Sequence, residues 1–173
     1  MNYYTTKLKK ILQMLKQTKK TISVKKLVDY NLKLPLKNKS IFTIEDNGTS
    51  IFDYLLLICE TQKVKEIKIC SFRIAKRDLS FLEELQIFGK LPKIKLLLSD
   101  SIPTMVVGTF NYLSGNNNFE VEYKNTHAKY CLLETEDNYY SIFSSGNFNP
   151  DGKLEQLNII NNKEVYNFFL NNN

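Results

Sequence analysis

His127 is the only histidine in a chain of 173 residues, and Lys129 stands two positions after it. An imidazole can attack an electrophile or carry a proton near neutral pH, and a neighbouring ammonium supplies positive charge. Further on, Ser145 and Asn147 repeat the same spacing with a hydroxyl and a carboxamide, and Glu155 adds a carboxylate able to orient an imidazole. This set suits a phosphate: Lys129 offers charge and Asn147 amide donors to nonbridging oxygens, while His127 serves as nucleophile or proton carrier.

Two apolar runs, Tyr130 to Leu133 and Tyr139 to Phe143, must position these groups. The polar cluster from Glu134 to Asn138 between them suits a hairpin connection. His127 and Lys129 then stand at the start of one strand, and Ser145 and Asn147 at the end of its partner. Because side chains alternate along a strand, each i, i+2 pair faces the same way and the four groups converge.

The pattern His127-x-Lys129, a hairpin, Ser144-Ser145-Gly146-Asn147 and a downstream Glu155 resembles the HKD motif of the phospholipase D superfamily. A single copy in a short chain is most similar to the small dimeric phospholipase D-like nucleases. Two departures stand in the sequence. Glu134 occupies the position of the motif aspartate, the nearest alternative being Asp137, and Ser144 replaces the usual glycine. A second register, Gly146-Asn147-Phe148-Asn149, would put Asn149 in place of Asn147; the first keeps a serine and is preferred.

The resemblance implies an α/β fold with a mixed, mainly parallel sheet flanked by helices on both faces, one HKD half per chain. It also implies metal-independent phosphodiester cleavage through a phosphohistidine, with no cofactor. The family uses two histidines, so a chain with one requires a homodimer in which each copy contributes His127, Lys129, Ser145, Asn147 and Glu155.

Charge bears on the partner. Residues 1 to 40 carry eleven lysines and one acid, a net +10, whereas the remainder carries −4. Lys7, Lys9, Lys10, Lys16, Lys19 and Lys20 crowd the beginning, where Leu8, Ile11, Leu12 and Leu15 recur at helical spacing. This basic helix reads as a solvated face, as a nucleic-acid-contacting arm or as a membrane-surface helix. Arg73 and Arg77, after an apolar strand, are further candidates for a phosphate-binding groove. A continuous basic arm favours nucleic acid, DNA before RNA, over a single phospholipid headgroup. The alternatives are a DNA-binding protein that does not cut and a phospholipase.

The length suits one domain over residues 41–173, preceded by the basic extension 1–40. No apolar run approaches the roughly 20 residues of a membrane helix, and lysines interrupt the N-terminus where a signal core would lie, so a soluble cytoplasmic protein is expected. Cys59, Cys70 and Cys131 lack metal-site spacing and sit in apolar runs, as buried reduced thiols do. The periodicity predicts strands over 41–44, 67–72, 93–99, 119–123 and 157–160. It predicts helices from Ser50, over 79–88 with Asp78 as cap and Gly89 as stop, and over 164–170, while 106–113 reads as a helix with a strand as the alternative.

Overall fold

A computed structural model describes residues 32–45, 49–146 and 155–172; it also gives backbone but no side-chain placement for Glu45 and Glu155. The basic stretch before residue 32, with its expected helix and the candidates Lys7, Lys9, Lys10, Lys16, Lys19 and Lys20, lies outside the described residues, as does Asn147.

Among the described residues, seven strands form one sheet. In chain order they are β1 (Lys39–Glu45), β2 (Val64–Ser71), β3 (Ile94–Ser99), β4 (Phe119–Lys124), β5 (Tyr130–Thr135), β6 (Tyr139–Ser144) and β7 (Glu155–Asn161). Their lateral order is β1-β7-β6-β5-β2-β3-β4. The helices are α1 (Ile51–Thr61), α2 (Lys76–Ile87), α3 (Ile102–Met105), α4 (Val107–Ser114) and α5 (Lys163–Asn171).

The expectation of a mainly parallel sheet is corrected. Only β2 with β3 and β3 with β4 run parallel; the pairs β1–β7, β2–β5, β5–β6 and β6–β7 are antiparallel. A parallel neighbour needs a crossover long enough to return the chain to the same end of the sheet, and only α2 and the α3–α4 pair provide one between adjacent strands. The 130–143 region instead folds back directly as the expected hairpin, with Tyr130 opposite Phe143 and Leu133 opposite Tyr140.

Helices do cover both faces. Ile67 and Ile69, Leu96 and Leu98, Cys131 and Leu133, and Leu157 and Ile159 point to one side, where α1, α2 and Leu113 of α4 bury them in the larger core. The alternate residues Cys70, Leu97, Tyr130 and Leu132 point to the other side, under Tyr166 of α5. The near-continuous apolar runs of β2, β3 and β5 follow from this two-sided burial. All three cysteines are free and buried, as their settings suggested.

Local chemistry sets the element ends. Ser50 caps α1 in a reciprocal capping box with Asp53, its N–H donating to Asp53 Oδ2 at 2.8 Å. Gly89 ends α2 at φ +68°, with Gly89 N–H bonded to the Gln86 carbonyl and Lys90 N–H to the Leu85 carbonyl, the pairing of a Schellman stop. Asp78 is not the α2 cap: the helix begins three residues earlier than expected, after Ala75, and Asp78 is buried in its first turn. Likewise β2 begins at Val64, three residues before the expected start at 67, and β1 begins at Lys39, so Lys39 and Ser40 belong to the sheet. Leu32 and Leu34 pack against the larger core.

Candidate active site

Parallel β2, β3 and β4 deliver their C-terminal ends to one rim of the sheet. Antiparallel β5 starts at that rim, β6 ends there and β7 starts there. The connector from Lys124 at the end of β4 to Tyr130 at the start of β5 must pass the ends of β3 and β2. Three strand spacings come to about 14 Å, and six residue steps reach at most about 20 Å, so the connector crosses the rim in an extended path. His127 sits in its middle and is exposed. The rim beyond the strand carboxyl ends is where open α/β sheets bind ligands.

His127 and Lys129 meet, with Lys129 Nζ 2.8 Å from His127 Nδ1. Neither lies in a regular strand; both precede β5. The connector is held by side chains and single backbone bonds instead of a ladder. Thr126 Oγ1 accepts from the Ala128 N–H at 3.2 Å, Cys70 Sγ donates to the Ala128 carbonyl at 3.6 Å, and the Ser144 N–H donates to the Lys129 carbonyl at 3.1 Å. Burial pushes the Cys70 thiol above its ordinary pKa, so it is a neutral S–H donor.

Ser145 follows β6 directly. Its N–H donates to the Gln156 carbonyl at 3.1 Å, and its Oγ accepts from the Gln156 N–H at 3.0 Å. Ser144 Oγ in turn accepts from the Gly146 N–H at 3.0 Å. The Lys129–Ser144 and Ser145–Gln156 bonds therefore carry the connector's anchor across β6 to β7, where Glu155 is the first strand residue, opposite Glu45 of β1. The backbone thus brings His127, Lys129, Ser145 and Glu155 to one rim. Glu134 and Asp137 are not there: Glu134 pairs with Tyr139 at the far end of the hairpin, five residues or about 16 Å of strand from Lys129.

On the other side of the connector, the Phe72 ring lies 4.8 Å from the His127 ring, tilted by 43°. The Arg73 guanidinium carbon lies 5.4 Å from the centre of the Phe72 ring. The turn carrying both is fixed by Ser71 Oγ donating to the Arg73 carbonyl at 2.6 Å and Thr109 Oγ1 donating to the Ile74 carbonyl at 3.2 Å. Arg77 lies in the first turn of α2, its Nε 3.7 Å from Asp78 Oδ1.

NucT from Helicobacter pylori superposes on this chain with a TM-score of 0.58 at 14% identity, covering 76% of this chain and 91% of NucT. The fold is phospholipase D-like. Within that fold the present chain corresponds to 24% of polyphosphate kinase from Porphyromonas gingivalis, which superposes with a TM-score of 0.56 at 15% identity over 88% of this chain. No family model matches the sequence, and no curated protein does. Among the described residues, no helix is long and apolar enough to cross a membrane.

Three contributors to this phospholipase D-like rim escaped the motif reading. Thr126 precedes the histidine and bonds the N–H two residues on, a local habit of threonine readable in sequence. Phe72 and Cys70 come from β2 and its following turn, more than fifty residues away; only the pairing of β2 with β5 reveals them.

Proposed function

We propose that this chain is a phosphodiesterase that cleaves DNA without a metal, through a phosphohistidine, at a site completed by a second copy of itself. The observation that carries the reading is the meeting of His127 and Lys129 at 2.8 Å on the ligand rim of a phospholipase D-like sheet, beside the segment that continues into Ser145.

In this reading the His127 imidazole of one copy attacks phosphorus. As the N–P bond forms, the P–O bond to the leaving oxygen breaks, and that oxygen takes a proton from His127 of the second copy. Water then attacks phosphorus, passes a proton to the second imidazole and displaces the first, restoring both. Lys129 and Asn147 neutralise the nonbridging oxygens, Glu155 orients the attacking ring, and Ser145 supports the loop between them. One imidazole has to be neutral while the other is protonated, so a single chain cannot complete the cycle.

Arg73 stands beside the site, and the eleven lysines of residues 1 to 40 add a net positive charge that attracts a polyanion. This favours nucleic acid over an isolated lipid headgroup. The deciding experiment incubates supercoiled plasmid with the protein in EDTA. Nicking by the wild type that disappears with His127→Ala supports the proposal; retention of DNA without nicking would establish a binder, and nicking preserved in His127→Ala would refute the histidine mechanism.

A further inference from the structure

The catalytic reading leaves one buried nucleophilic group at the rim unused. Cys70 ends its run on the α5 face of β2, directly opposite Tyr130, the first residue of β5. Its side chain is fully buried, and its Sγ lies 3.6 Å from the Ala128 carbonyl and 3.7 Å from Thr126 Oγ1.

Ala128 is the residue between the histidine and the lysine. Both of its backbone groups are thus taken, the N–H by Thr126 and the carbonyl by Cys70. The connector has no ladder partner at this point, so these two bonds set the direction in which the peptides on either side of Ala128 project their side chains. A free peptide here could rotate, and rotation of either flanking unit would separate His127 from Lys129.

We propose that Cys70 and Thr126 form a clamp on Ala128 that fixes the mutual orientation of His127 and Lys129, making Cys70 a positioning residue for the reaction. The proposal rests on the phosphodiesterase reading for its kinetic consequence but not for its structural one. The buried thiol acts as an S–H donor and an apolar plug at once, a combination that serine supplies in part and valine only as volume.

The lone histidine makes the structural consequence directly visible, because every imidazole resonance of the protein belongs to His127. Long-range proton–nitrogen NMR of the full chain at a pH where the ring is neutral reports which ring nitrogen carries the proton. The wild type and Cys70→Ser should show the same tautomer, with the proton on Nε2 while Lys129 donates to Nδ1. Cys70→Val and Thr126→Val should show a mixture, with altered Nδ1 and Nε2 shifts.

In the plasmid assay, the two valine variants should lose about three- to tenfold in kcat with KM nearly unchanged, the size expected for one lost hydrogen bond. Thr126→Val, on a half-buried and irregular segment, keeps the question answerable if Cys70→Val does not fold. Wild-type imidazole shifts in Thr126→Val, or in a folded Cys70→Val, would overturn the clamp. Absence of nicking by the wild type would refute the phosphodiesterase and leave the NMR result to decide the clamp alone.

Discussion

Lys129 Nζ stands 2.8 Å from Nδ1 of His127, and with the lysine protonated that nitrogen can only accept. The neutral ring must then carry its proton on Nε2. A ring in this form can donate a hydrogen bond from Nε2 but cannot attack through it, and only the protonated ring serves as the acid. In the mechanism proposed above, attack through Nε2 needs the lysine to turn from the imidazole to the phosphate and Nδ1 to take up the proton.

Tungstate or vanadate, tetrahedral or five-coordinate oxyanions that mimic phosphate, should therefore draw Lys129 away from His127. The expected result is a change of the imidazole tautomer toward Nδ1–H on titration with the oxyanion, read by nitrogen NMR and absent in Lys129→Ala. An unchanged ring at saturating oxyanion would mean that Lys129 does not bind the phosphate.

His127→Ala should lower cleavage by about three orders of magnitude or more, as loss of a nucleophile does. If two copies share one site, co-expressing His127→Ala with wild-type chains should reduce activity as the square of the wild-type fraction. A linear fall would indicate that each chain works alone. The pH profile of kcat should be bell-shaped, because one imidazole must be neutral while its counterpart is protonated.

Asn161 is buried at the rim opposite the site. Its Nδ2 donates to the Pro35 carbonyl at 3.2 Å and to Asn138 Oδ1 at 2.8 Å, and its Oδ1 accepts from the Tyr139 N–H at 3.3 Å. Asn161→Ala strands all three partners and should cost about 1–3 kcal/mol of stability, measured by urea unfolding, with the per-molecule activity of folded protein unchanged.

Glu83 joins α2 to α4 and the loop after it, accepting from the Tyr112 hydroxyl, from Asn116 Nδ2 at 3.0 Å and from Asn118 Nδ2 at 2.6 Å. The Tyr112 bond above all holds its carboxyl below the ordinary value of 4.5. A carboxylate with a lowered folded pKa stabilises the fold at higher pH and loses that contribution as acid protonates it. The melting temperature of the wild type should exceed that of Glu83→Gln at neutral pH, and the gap should close as the pH falls below about 4.5.

Much of this arrangement was legible before any coordinates. The hairpin carrying His127 and Ser145 shows in two apolar runs around a polar turn, and Gly89 marks the end of α2 because a left-handed residue is needed there. The direction of the strands was not legible. Buried strands read as continuous apolar runs whether their neighbours are parallel or antiparallel, so β5 and β7 resembled the parallel core strands in composition. The start of α2 was misjudged because Asp78 is a good cap by type, while burial of its carboxylate in the first turn depends on tertiary packing. Cys70 looked like simple core filling because Ile67, Ile69 and Phe72 stand near it in sequence, and its bond to Ala128 exists only because β5 was inserted beside β2.

The hairpin of β5 and β6 divides responsibilities along its length. Its open end leads into the connector that carries His127, whereas its closed end, through Thr135, Asn138 and Asn161, ties together Gln62 at the α1 terminus, the entry to β1 and the end of β7. Substitutions at one margin should therefore leave the other largely undisturbed, and the α2–β3 bend around Gly89 belongs to the closed margin, since Gly89 and Lys90 line one cavity with Gln62.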